Sequence, residues 1–63
     1  MTAEQEDAET RATLLEATLR HVPFDGWSKR AMDAGNTDLD LPDGTVHRLF
    51  PRGPRDLLTY SAA

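Results

Sequence analysis

The sequence predicts an all-α fold: a three-helix bundle holding a helix-turn-helix, followed by the start of a fourth helix. Three observations predict it. Leu15, Leu19 and Val22 recur at three- and four-residue spacing, which is the apolar period of an amphipathic helix. The same period returns at Val46, Leu49 and Phe50. Pro23, Pro42, Pro51 and Pro54 fall where such segments begin or stop.

Residues 1 to about 8 read as a solvated, flexible acidic tail whose carboxylates favour the positive end of a following helix. Residues 9–63 read as one domain, with helices at about 9–21, 28–37, 42–49 and 54–61. In the first helix, Leu14 and Thr18 widen the Leu15, Leu19 and Val22 stripe into a core-facing side. Asp7–Arg11 and Glu16–Arg20 stand four residues apart in the acid-to-base order that supports an exposed helix face. Pro23 is expected to end this helix, and Asp25-Gly26 supplies a turn in which glycine can take positive φ. Phe24 and Trp27 flank the turn and are expected to fold back as the largest apolar contribution to the core.

Ser28 suits the N-cap of the second helix, where its hydroxyl can accept a free backbone amide. Ala31, Met32 and Leu39 are expected to face inward. Gly35 costs the helix about 1 kcal/mol relative to alanine, so the Gly35-Asn36 end is expected to be short or frayed. Pro42 permits a helix start, because the first turn has no use for the amide proton that proline lacks. Val46, Leu49 and Phe50 then face inward, with His47 and Arg48 opposite. Phe50-Pro51 stops that helix, since a residue before proline is pushed out of α geometry. Gly53-Pro54 opens the last helix, with Leu57, Leu58 and Tyr60.

Composition limits the function. Sixty-three residues make one domain, and chains below about 70–80 residues have a thin margin of stability from a single core. With no cysteine and no Cys/His cluster, neither a disulfide nor a zinc ion can compensate. The longest apolar run is too short to span a membrane. The net charge is −4, whereas nucleic-acid binders usually present a basic face. Met1 to Thr10 holds Glu4, Glu6, Asp7 and Glu9 without a base. Secretory and mitochondrial leaders are basic and acid-poor, so neither is expected.

No catalytic constellation emerges. His21 and His47 lack a serine or cysteine nucleophile with a base and an orienting partner. Asp38-x-Asp40-x-x-Asp43-Gly44 hints at a calcium loop, but the EF-hand places its acids at alternate positions and ends on glutamate. The residue in that last place is Leu49. Helix capping and solvated acids explain the aspartates better. No metal, cofactor or enzymatic activity is expected.

The segments HVPFDGWS and LPDGTVHRLFPRGPRDLL resemble the N-terminal segment of the Coq-nine family of ubiquinone (coenzyme Q) biosynthesis proteins. That family has the fold of the tetracycline-repressor (TetR) regulators. The resemblance runs over about residues 11 to 61 and is most specific at Pro23, Gly26-Trp27-Ser28 and Leu49-Phe50-Pro51-Arg52-Gly53 ahead of Leu57-Leu58. It implies a supporting first helix, a helix-turn-helix formed by helices two and three, and a fourth helix begun by Leu57-Leu58. Gly44-Thr45-Val46 with Phe50 is similar to the repressors' recognition helix.

That similarity leaves a DNA-binding alternative, in which Thr45, His47, Arg48 and Arg52 touch nucleic acid. Asp38, Asp40 and Asp43 stand against it. Duplex DNA carries one charge per about 1.7 Å of axis, and affinity rests on neutralising phosphates. Arg48, Arg52 and Arg55 are better explained as a solvated rim pairing with Asp56 or nearby acids. A stand-alone protein-interaction module is the third reading.

The resemblance therefore implies a non-catalytic accessory module of a ubiquinone biosynthesis protein; with no targeting leader expected, a bacterial, cytoplasmic placement at the periphery of the inner membrane is expected. Family members bind lipid, including quinone intermediates, assist the demethoxyubiquinone hydroxylase and form homodimers. The lipid and hydroxylase surfaces lie in regions beyond this chain, so no residue here is assigned to either.

Overall fold

A computed structural model describes residues 2–62. The order of elements is α1 (Ala3–Asp25), α2 (Lys29–Asp38), α3 (Thr45–Leu49) and α4 (Pro54–Ala62). The fold is all-α, with four helices among the described residues.

α1 begins well before the expected boundary. The Thr2 hydroxyl accepts the Gln5 amide at 3.2 Å, and the Gln5 side-chain oxygen accepts the Thr2 amide at 3.1 Å. This reciprocal capping box satisfies two donors that a helix start leaves free, and Glu4 and Glu6 sit in the favourable first turn. The acidic tail expected over residues 1 to 8 is thus helix from Ala3 onward, while Met1 lies outside the described residues. Pro23 does not end α1 either. It removes one ladder bond, but the helix continues to Asp25 and stops at Gly26 (φ 73°), whose amide donates to the Val22 carbonyl.

The buried side of α1 is Leu14, Ala17 and Thr18, with Leu15 packed at its edge. Leu19 is half exposed although its neighbours Ala17 and Thr18 are buried, so it stands on the side of that turn facing away from α2. The Thr18 hydroxyl donates to the Leu14 carbonyl at 2.7 Å, so its burial leaves no free donor.

Ser28 caps α2 as its sequence suggests, accepting the Ala31 amide at 3.2 Å. α2 runs through Gly35 and Asn36 without fraying, and both residues are buried. The reason is a close helix contact. A Cβ on Gly35 would stand 3.0 Å from the Thr18 nitrogen and 3.3 Å from the Ala17 carbonyl carbon. His21 Nε2 and Asp38 Oδ2, 2.5 Å apart, tie the same two helices together.

α3 is shorter than the expected 42–49. Gly44 has φ 88°, a left-handed conformation that cannot continue a helix, so Pro42 closes a turn instead of opening α3. The Thr45 amide and hydroxyl both donate to the Pro42 carbonyl, at 3.2 and 2.8 Å. Phe50 (φ −132°, ψ 76°) ends α3 ahead of Pro51. Pro54 then starts α4, where the Asp56 carboxylate accepts the Arg52 amide at 2.8 Å.

The core joins all four helices. Leu14, Met32, Val46, Leu49, Phe50 and Leu57 form one cluster, with Trp27, Leu39 and Tyr60 packed against it. The Tyr60 ring meets Phe50 edge-on at 5.9 Å, a favoured arrangement for aromatic quadrupoles. The expected aromatic pair divides. Trp27 is half-buried and its indole donates to the Pro54 carbonyl at 2.9 Å, fastening the α1–α2 turn to the head of α4. Phe24 is 86% exposed and contributes nothing to the core. It lies beyond Pro23 on the outward side of the last turn.

Candidate functional site

The residues with chemistry to offer lie along the junction of α2 with α3 and α4. α3 has one apolar side, Val46 and Leu49, buried in the core, which leaves His47 and Arg48 facing solvent. Thr45, singled out as a nucleic-acid contact, is buried, and its hydroxyl is spent on the Pro42 carbonyl. Arg48 Nη1 donates to both carboxylate oxygens of Asp7, at 3.1 and 3.0 Å. Arg52 is exposed in the α3–α4 turn. His47 and Arg52 therefore share a solvent-facing edge with Arg48, while Thr45 does not join them.

The flanking aspartates differ from one another. Asp38 is engaged with His21. Asp40 holds a positive φ of 53°, which aspartate tolerates better than most residues. Asp43 is exposed beside Gly44. The anticipated i,i+4 pairing of Asp7 with Arg11 gives way to the tertiary pair with Arg48. Of the arginine rim, expected to pair with Asp56 or nearby acids, Arg48 is held by Asp7. Asp56 is taken by a backbone amide of the turn.

Two clefts flank this edge and share Lys29 and His47. The first, about 230 Å³, lies between α2 and α3 and is walled by Lys29, Asp33, Asn36, Thr37, Asp43 and His47. The second, about 240 Å³, lies below α3 and is lined by Lys29 and Arg52 with Phe50, Pro51 and Pro54. The first is acidic on balance and the second basic and apolar. Sequence reasoning passed over Lys29, Asp33, Asn36 and Thr37. Their spacing along α2 places them on one helix face, which is the signal that marks them. Among the described residues no group of three or more His, Cys, Asp or Glu is placed to hold a metal ion.

Over 50 residues, 79% of this chain, the sequence is 38% identical to a Drosophila melanogaster protein described as "Ubiquinone biosynthesis protein COQ9, mitochondrial". The chain is a COQ9-family segment. It spans 15% of the length of that COQ9 relative. No family model and no solved structure matches the chain. Among the described residues no helix is long and apolar enough to cross a membrane. Within this COQ9-family segment the apolar side chains are consumed mainly by the core. What remains at the surface is the charged edge around α3, with the exposed Phe24, Leu58 and Leu19 away from it.

Proposed function

We propose that this chain is a non-catalytic scaffold module of a ubiquinone biosynthesis protein. The whole protein binds lipid or quinone intermediates and assists the demethoxyubiquinone hydroxylase. The observation that carries the proposal is the 38% identity to a COQ9 protein across most of the chain. In this reading the segment has the TetR-type arrangement: α1 supports, α2 and α3 make the helix-turn-helix, and α4 leads onward. It acts from the cytoplasmic side at the periphery of the inner membrane of a bacterium, and the whole protein is a homodimer.

Two contacts favour this reading over DNA binding. Arg48 is bound by Asp7, and Thr45 is buried at the start of α3. A groove-reading surface needs its cations free to meet phosphates, and here one is already neutralised.

The deciding experiment uses the full-length protein purified from quinone-producing cells. Its organic extract is expected to contain isoprenoid quinones or their precursors, and cross-linking is expected to capture the hydroxylase. A lipid-free preparation that captures no hydroxylase overturns the proposal. A gel-shift at low salt is expected to show no retention of duplex DNA, and salt-sensitive retention would restore the regulator reading.

A further inference from the structure

The cleft below α3 is opposite in sign to the chain that holds it. The chain carries a net charge of −4. The cleft, about 240 Å³, is lined by Lys29, His47 and Arg52, with no carboxylate among its described lining residues. Among the described residues the ion pairs are Arg48 with Asp7 and His21 with Asp38. Lys29 and Arg52 are exposed and belong to neither pair. Asp56, the acid nearest to Arg52 in sequence, accepts the Arg52 backbone amide and leaves the guanidinium unmatched.

The rest of the lining is apolar. Val46 and Phe50, both buried, form the floor, with Pro51 and Pro54 as walls. The Trp27 indole donates to the Pro54 carbonyl at 2.9 Å, so the start of α2 is fastened to the head of α4. That bond holds the segment bearing Lys29 against the turn bearing Arg52. Apolar walls strengthen the field of the cations beside them, and a guanidinium can take a carboxylate through two parallel hydrogen bonds. An occupant must be anionic at one point and apolar next to it. We propose that this cleft docks an acidic segment of a partner protein. A glutamate or aspartate carboxylate sits between Lys29 and Arg52, and a neighbouring apolar side chain covers Phe50, Pro51 and Pro54.

The surrounding surface favours a short segment over an extended polyanion. Asp33 and Asp43 wall the adjoining α2–α3 cleft, and Arg48 is already held by Asp7. A DNA duplex or an anionic bilayer spreads its charge over a whole face, so it would meet those carboxylates too. A segment that enters the hollow alone avoids them. Docking here gives the segment a surface of its own beyond the scaffold role, and it is measured on the chain without lipid or hydroxylase.

The test is an NMR titration of the ¹⁵N-labelled chain with a short peptide carrying glutamate beside leucine. The same peptide with glutamine for glutamate, a DNA duplex and phosphatidylglycerol vesicles are the other arms. The expected result is a saturable shift centred on the amides of Lys29, Arg52 and Gly53, absent with the glutamine peptide. Lys29 and Arg52 are exposed and unpaired, so the Lys29→Gln/Arg52→Gln double variant is expected to keep its fold, checked by circular dichroism. It is expected to bind the peptide about tenfold more weakly, from the loss of two charge contacts. Arg20→Gln removes an exposed cation of α1 outside the cleft and is expected to leave binding unchanged. A shift that does not saturate, or is unchanged in the double variant, overturns the proposal. So does equal binding of the glutamine peptide, or a loss in Arg20→Gln that matches the double variant. Tighter binding of the duplex or the vesicles than of the peptide also overturns it.

Discussion

Asp7, in the second turn of α1, and Arg48, on α3, are joined by two hydrogen bonds of 3.0 and 3.1 Å across 41 positions of sequence. The contact anchors the acidic start of α1 to the exposed side of α3 and makes residues 3–8 part of the folded unit. Both side chains are partly open to water. Exposed pairs of this kind contribute about 0.2–1 kcal/mol. A double-mutant cycle of Asp7→Ala and Arg48→Ala, read by urea unfolding, is expected to give a coupling energy in that range. Hydrogen exchange is expected to show protection at Thr10 and Arg11 that falls when Asp7 is removed.

Gly35→Ala tests the close approach of α1 and α2. Helix propensity alone predicts a gain of about 1 kcal/mol. The added methyl, however, would press on the Thr18 backbone at 3.0 Å, and overpacking typically costs about 1–3 kcal/mol. The substitution is expected to lower the midpoint of thermal unfolding. A raised midpoint would show that the helices have room to part.

Trp27→Phe keeps most of the ring and removes the donor to the Pro54 carbonyl. A hydrogen bond of this kind is worth about 0.5–1.5 kcal/mol net, and the loss is expected in urea unfolding. Because Trp27 is the sole tryptophan, its fluorescence in the parent chain reports directly on separation of α4 from the α1–α2 turn.

Phe24→Ser separates two accounts of the aromatic pair. A core phenylalanine costs about 3–5 kcal/mol when truncated, whereas one that is 86% exposed is expected to cost within about 0.5 kcal/mol, as surface substitutions do. Unfolding of the variant at the parent's midpoint is the expected result.

Leu57→Ala removes the only fully buried side chain that α4 contributes among the described residues. Truncations of this type cost about 2–5 kcal/mol, comparable with the whole stability available to a chain of this size. The far-ultraviolet spectrum is expected to lose most of its helical signal at 37 °C.

Much of this architecture is legible in the sequence because it is written in local signals. Ser28 as a cap, Phe50-Pro51 as a stop and Gly53-Pro54 as a start each follow from backbone chemistry at one or two positions. Met32, Val46, Leu49, Phe50 and Leu57 follow from apolar periodicity. Thr2-x-x-Gln5 is also a local signal, but the acidity of the segment hides it. Gly35 is illegible for a different reason. Its helix propensity is a property of α2 alone, while its purpose lies in the backbone of α1. The Asp7–Arg48 pair and the meeting of Lys29 with Arg52 at one cleft are likewise tertiary facts. Of the edge around α3, the sequence marks the exposed His47 and Arg48, yet it cannot show that Thr45 turns inward or that Arg48 is already held.

α1 has 23 residues, which at about 1.5 Å each makes a rod of about 34 Å. The longest dimension of the described residues is 35 Å. One helix therefore works as a strut from end to end, with α2 packed along it. A pull or twist applied at Thr2 is passed to Gly26 instead of being absorbed, and dyes at Glu4 and Arg20 would keep a fixed separation until the rod itself melts.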